Sequence, residues 1–83
     1  MLRIEPDDVV IRRQEATRPN LENSARWQYR VQDERQAFRP RTFTSFQHAA
    51  SEGEQLAAKR RVRLYYVEDV LPTLLSDHRQ RLV

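Results

Sequence analysis

TFTSFQHAASEGEQLAAKRRVRLYYV, residues 42–67, reads as a helix followed almost at once by a strand, and the rest of the fold is arranged around that pair. Thr44 suits the N-cap, with Gln47 completing a capping box in which hydroxyl and amide satisfy backbone N–H groups at the helix start. Phe46, Ala49, Ala50, Gly53, Leu56 and Ala57 then share one stripe at helical spacing, with His48, Ser51, Glu52, Gln55 and Lys59 on the wet side. The stripe is built from small residues, so the helix is expected to lie close on a sheet. Gly53, the one glycine in the chain, would otherwise cost about 1 kcal/mol in a helix interior, and close backbone approach is its reason. Lys59, Arg60 and Arg61 end the helix, where cations meet the carbonyl end of the macrodipole. That structural role competes with a second one, the gripping of an anionic partner. Val62, Leu64 and Tyr66 then alternate with Arg63, Tyr65 and Val67 as a strand.

Upstream, DVVIRRQ (8–14) has the β-branched run of a first strand, and EATRPNLENSA (15–25) has the turn formers of a long, mobile loop. RWQYRVQ (26–32) puts Trp27, Tyr29 and Val31 on one face and Gln28, Arg30 and Gln32 on the other, the period of a half-buried strand. Asp33, Glu34 and Arg35 form a polar reversal, and AFRPRTF (37–43) returns antiparallel, with Pro40 marking an edge. Downstream, Asp69 as cap, Pro72 in the first turn and Leu71, Leu74, Leu75, His78 and Leu82 at helical spacing predict a short C-terminal helix over 70–83. The order βββαβα is an α+β architecture: a mostly antiparallel sheet of three or four strands with the main helix on one face. Trp27, Tyr29, Val31, Phe46, Leu56, Val62, Leu64 and Tyr66 are its expected core. Strand alternation sends Arg12, Gln28, Arg30, Arg63 and Tyr65 to the opposite face, with Arg39 or Arg41 near it.

At 83 residues the chain is one small domain, 1–83. It has no apolar run approaching the ~18 residues of a membrane span, and MLRIEPDDVV lacks the apolar segment of a signal peptide. Without cysteine there is no disulfide, thiolate metal site or thiol nucleophile, and a cytoplasmic location is the expectation. Net charge is +3, and every one of the fifteen cationic residues except Lys59 is Arg. Guanidinium suits bidentate contact with phosphate, although a GC-rich coding sequence produces the same bias. The cationic excess is central: residues 26–63 hold nine cations against four anions, whereas both flanks are slightly acidic.

No catalytic constellation is present, so no enzyme and no cofactor are expected. His48 and His78 lack metal-ligand spacing; Asp7–Asp8 and Glu68–Asp69 are adjacent pairs suited to caps and loops; one glycine makes no phosphate loop; and no serine has a nucleophile context. WQYRV (27–31), followed after a turn by TFTSFQHAASEGEQL (42–56), resembles the layout of arm-type integrase N-terminal domains over residues 26–58. It is similar also to short uncharacterised bacterial domains of that layout. The resemblance implies a three-stranded sheet lying in the DNA major groove with the helix behind it, and contacts from Gln28, Arg30, Arg39 and Arg41. This chain departs from the layout by adding a strand before it and further elements after it.

Two functions follow as expectations. One is a non-enzymatic protein-interaction module, a homodimer or the partner of another protein, with Leu71, Leu74, Leu75, His78 and Leu82 as its interface. The alternative is DNA or RNA binding through Arg12, Gln28, Arg30, Arg39, Arg41, Lys59, Arg60, Arg61 and Arg63. What separates them is whether those cations cluster without being neutralised by Asp33, Glu34 or Glu68.

Overall fold

In a β-sheet each strand alternates its side chains between two faces, so strand register decides which residues meet. The computed structural model describes residues 3–16 and 26–79, which form β1 (Val9–Glu15), β2 (Trp27–Gln32), β3 (Arg41–Phe43), α1 (Phe46–Arg60), β4 (Arg63–Val67) and β5 (Pro72–Asp77). The architecture is α+β, with five strands in the order β3-β2-β1-β4-β5 and α1 on one face. β1–β2, β2–β3 and β4–β5 pair antiparallel; β1–β4 pair parallel. The parallel pair follows from α1, which carries the chain from β3 back along the sheet so that β4 enters beside β1 in the same direction.

The helix begins one residue later than its sequence suggests. Ser45, not Thr44, is the N-cap, with extended dihedrals and an Oγ that accepts from the His48 N–H at 3.4 Å. Phe46 becomes the first helical residue and meets Tyr29 and Tyr66 edge-on, with ring centroids 5.7 and 4.8 Å apart. Ala49, Gly53 and Ala57 are buried against the sheet as expected. At the other end Arg61 takes the left-handed conformation (φ 60°, ψ 49°), and the Val62 N–H closes on the Ala57 carbonyl at 3.0 Å. A left-handed turn usually falls to glycine; here arginine adopts it.

Val9, Ile11, Val31, Ala49, Ala57, Val62 and Leu64 make the core beneath the helix, with Tyr29, Phe43, Leu56 and Tyr66 packed at its margin. Trp27 stands at the end of the sheet instead, half-buried beneath the Arg13 guanidinium, 4.0 Å from the ring centroid. A second, smaller cluster lies on the reverse face: Val10, Tyr65 and Val67, with Ile4 and Leu74 against them. Tyr65 does point away from α1, but it is 1% exposed, so half of the reverse face is apolar and covered.

The expected helix over 70–83 is absent from the described residues; 72–77 are β5. The leucine spacing fitted a helix, yet a helix there would leave the outer backbone groups of β4 unpaired. As a strand the segment satisfies them and sets Leu74 opposite Tyr65. A bulge accommodates the apolar excess: Leu64 pairs with Ser76 and Tyr65 with Leu74, leaving Leu75 as the extra residue. The expected loop at 15–25 starts later, since Glu15 pairs with Trp27 and the Ala16 N–H donates to the Arg26 carbonyl at 3.0 Å. Residues 17–25 of that expectation lie outside the described residues.

Candidate functional site

Two surfaces are candidates, and they occupy different parts of the sheet. The first is the outer edge of β5. Half the backbone N–H and C=O groups of an edge strand point away from the sheet and are available to another strand. The large exposed apolar side chains among the described residues are Leu75 (39% exposed) on this strand and Val70 (76%) and Leu71 (82%) in the bend that leads into it. Leu74, on the same strand, is half-buried against Tyr65 and Val67. Of the candidate interface residues, then, Leu71 and Leu75 face solvent and Leu74 belongs to the protein's own reverse-face cluster. Leu82 lies outside the described residues. At the opposite edge β3 is only three residues long and follows directly on Pro40, which leaves little to pair with.

His78 follows directly on β5, and its contacts are internal. Its N–H donates to the Val62 carbonyl at 3.1 Å, and its Nε2 meets Glu54 Oε1 on the helix. The neighbouring Ser76 hydroxyl, which lies near without forming a hydrogen bond of ordinary geometry, and the His78 imidazole lower the Glu54 carboxyl from its ordinary value despite an opposing push from partial burial. The segment after β5 is also tied back to the N-terminal turn by Asp8. This buried carboxylate accepts from the Glu5 N–H (2.8 Å), the Arg63 N–H (2.9 Å) and Arg79 Nε (3.1 Å). Asp8 is thus a hub between segments distant in sequence, a role that its place in the Asp7–Asp8 pair does not disclose.

The second surface is the polar half of the reverse face. Arg12 and Arg30 are direct partners in the β1–β2 ladder, and the next pair along is Gln14 with Gln28. Thr42 on β3 stands opposite Arg30, and Gln32 opposite Val10. By alternation all of these point away from α1. Gln14, Gln32 and Thr42 complete the patch; Gln14 was readable from its period-two relation to Arg12, whereas Thr42 needed the β2–β3 register.

The other candidate cations are dispersed. Arg41 leaves the reverse face: Val31, its ladder partner, faces the helix, and Arg41 bonds Glu52 on α1 at 2.6 Å. Arg63 is held by Asp77 at 3.0 Å, which keeps its guanidinium more firmly protonated. Arg60 turns inward to the buried Asp33 carboxylate at 3.2 Å and lies over the Phe38 ring. Arg61 caps the helix, Lys59 is exposed in its last turn, and Arg39 is exposed in the loop before β3. The basic helix end therefore divides into one internal ion pair, one cap and one solvated lysine. Asp33 takes Arg60, and Glu68 takes Arg13 at 3.3 Å, so neither neutralises Arg12 or Arg30.

Among the described residues no three His, Asp or Glu side chains converge as a metal site, and no helix is long and apolar enough to cross a membrane. Set against protein-family models, curated proteins and solved structures, the chain matches none.

Proposed function

We propose that this chain is a non-enzymatic protein-interaction module that forms a homodimer by adding β5 to β5 of a second copy. The observation that carries the reading is an unpaired strand edge that bears Leu75 and is entered through Val70 and Leu71, the large apolar side chains left in water among the described residues. Main-chain pairing supplies affinity in strand addition, and flanking apolar side chains add buried area. A two-fold axis through the edge runs the two strands antiparallel, so one patch serves both copies. The short β3 edge offers no comparable site, so the assembly closes at two copies.

The test is sedimentation equilibrium at tens of micromolar. The full chain is expected at twice its 10.0 kDa, and the double variant Leu71→Lys/Leu75→Lys at the single mass, still folded with a cooperative melt whose midpoint no longer depends on concentration. These two substitutions suit the test because both side chains are already exposed, whereas truncation after Asp69 would delete a strand of the sheet. A full-length monomer under these conditions refutes the reading.

A further inference from the structure

Arg12 and Arg30 are placed as stability alone would not place them. They are directly opposed on neighbouring strands, where like charges repel across a pair of Cβ atoms roughly 5 Å apart. Elsewhere in the described residues Arg13, Arg26, Arg35, Arg41, Arg60, Arg63 and Arg79 each have a carboxylate. Among the described residues Arg12 and Arg30 have none, as is true also of Arg3, Arg39 and Arg61, but Arg12 and Arg30 are the two that the register sets face to face. The Nε of Arg30 is moreover buried without a hydrogen-bond acceptor, and a buried guanidinium donor left unmatched calls for one. Arg13 Nε is also unmatched, but its guanidinium is already engaged by Glu68.

The surroundings define what the acceptor is. On β1–β3 this face consists of Val10, Arg12, Gln14, Gln28, Arg30, Gln32 and Thr42, with no carboxylate. A shallow concavity of about 280 Å³ touches Arg12 at the Gln32 end, but Asp33 and Glu34 also line it, which directs an anion toward the Gln14, Gln28 and Thr42 end. Guanidinium forks match oxyanions in a planar, bidentate manner. Two forks on adjacent strands fit the two non-bridging oxygens of one phosphodiester, and the flanking amides and hydroxyl offer neutral hydrogen bonds to what lies on either side.

We propose that the Arg12–Arg30 pair binds a phosphodiester, so that the polar half of the reverse face takes the backbone of a nucleic acid. This surface is separate from the β5 edge, and the inference does not depend on dimerisation.

The experiment is fluorescence anisotropy with a labelled oligothymidylate and its duplex, from about 50 mM salt upward, where exposed charges are lightly screened. Binding should weaken with salt, and Arg12→Gln/Arg30→Gln should lower affinity and flatten the log–log slope by about 0.7 to 0.9, the share of one phosphate contact. The variant's melting temperature should hold or rise, because a repulsive pair is removed. Lys59→Gln/Arg61→Gln removes the same formal charge elsewhere and should leave the slope unchanged; an equal loss there would reduce the effect to net charge and overturn the site. Competition by thymidine monophosphate and inorganic phosphate identifies the source: weak competition by both supports the polymer, while competition as strong as the oligonucleotide's assigns the pair to a free phosphate and overturns the nucleic-acid reading. Absence of binding by any of these probes overturns the proposal as a whole.

Discussion

Gly53 is where the packing argument is most exposed to refutation. A Cβ at this position would stand 2.9 Å from Leu64 Cδ1, 3.3 Å from Ile11 Cδ1 and 3.4 Å from Ile11 Cγ1. For Gly53→Ala two effects nearly cancel. Alanine recovers about 1 kcal/mol of helix propensity, and the tightest clash is with the end of a flexible side chain, so the variant should lie within about 1 kcal/mol of wild type. Gly53→Leu must fit three further carbons between α1 and strands whose Ile11 and Leu64 are 0% and 1% exposed. Over-packing of this kind costs about 1 to 3 kcal/mol or more, and the closed surroundings put it at the upper end. At about 4 to 8 °C per kcal/mol for a domain of this size, a loss of about 3 kcal/mol lowers Tm by roughly 12 to 24 °C. Circular-dichroism melts and guanidinium titrations of both variants measure it. Adding Leu64→Ala to Gly53→Leu opens the space again, so the double variant should be less destabilised than the sum of the singles by about 1 kcal/mol or more. A Gly53→Leu melt close to wild type, or strict additivity with Leu64→Ala, would show that α1 does not approach the sheet at this residue.

Asp8→Ala strands the N–H groups of Glu5 and Arg63 and releases Arg79; at about 1 to 3 kcal/mol per orphaned donor, discounted for partial exposure, chemical denaturation should register a loss of about 2 to 4 kcal/mol. Unchanged stability would mean that water replaces the carboxylate without penalty. The Glu54 carboxyl has its pKa lowered from 4.5 by Ser76 and His78, so its contribution is present above about pH 4.5 and disappears as pH falls through the depressed folded value. Comparing Glu54→Gln with wild type by thermal melts should show a small difference, of order 0 to 1 kcal/mol for an exposed pair, that closes as pH falls well below about 4.5; a difference that persists there would contradict the assignment.

What the sequence determined by itself is local. The period of two in Trp27–Gln32, the small-residue stripe with Gly53 and the strand directly after the helix are short-range patterns, and side-chain direction along a helix or strand follows from backbone geometry alone. They suffice for an α+β chain with one helix on one face of a sheet, and for placing Arg12, Gln28, Arg30 and Tyr65 away from that helix. Tertiary structure decided the rest. Leu71, Leu74 and Leu75 satisfy a helical period and a bulged strand equally well, because a short apolar run carries both readings. The vacant edge of β4 selects the strand, and neither its existence nor its position is written near residue 72. The cationic sites were legible as residues but not as charges. Arg60 finds Asp33, Arg79 finds Asp8 and Arg41 finds Glu52 across separations that only the folded chain closes. Arg12 and Arg30 stay unmatched because the β1–β2 register sets them against each other, and Coulomb interaction depends on distance in space, which sequence separation does not provide.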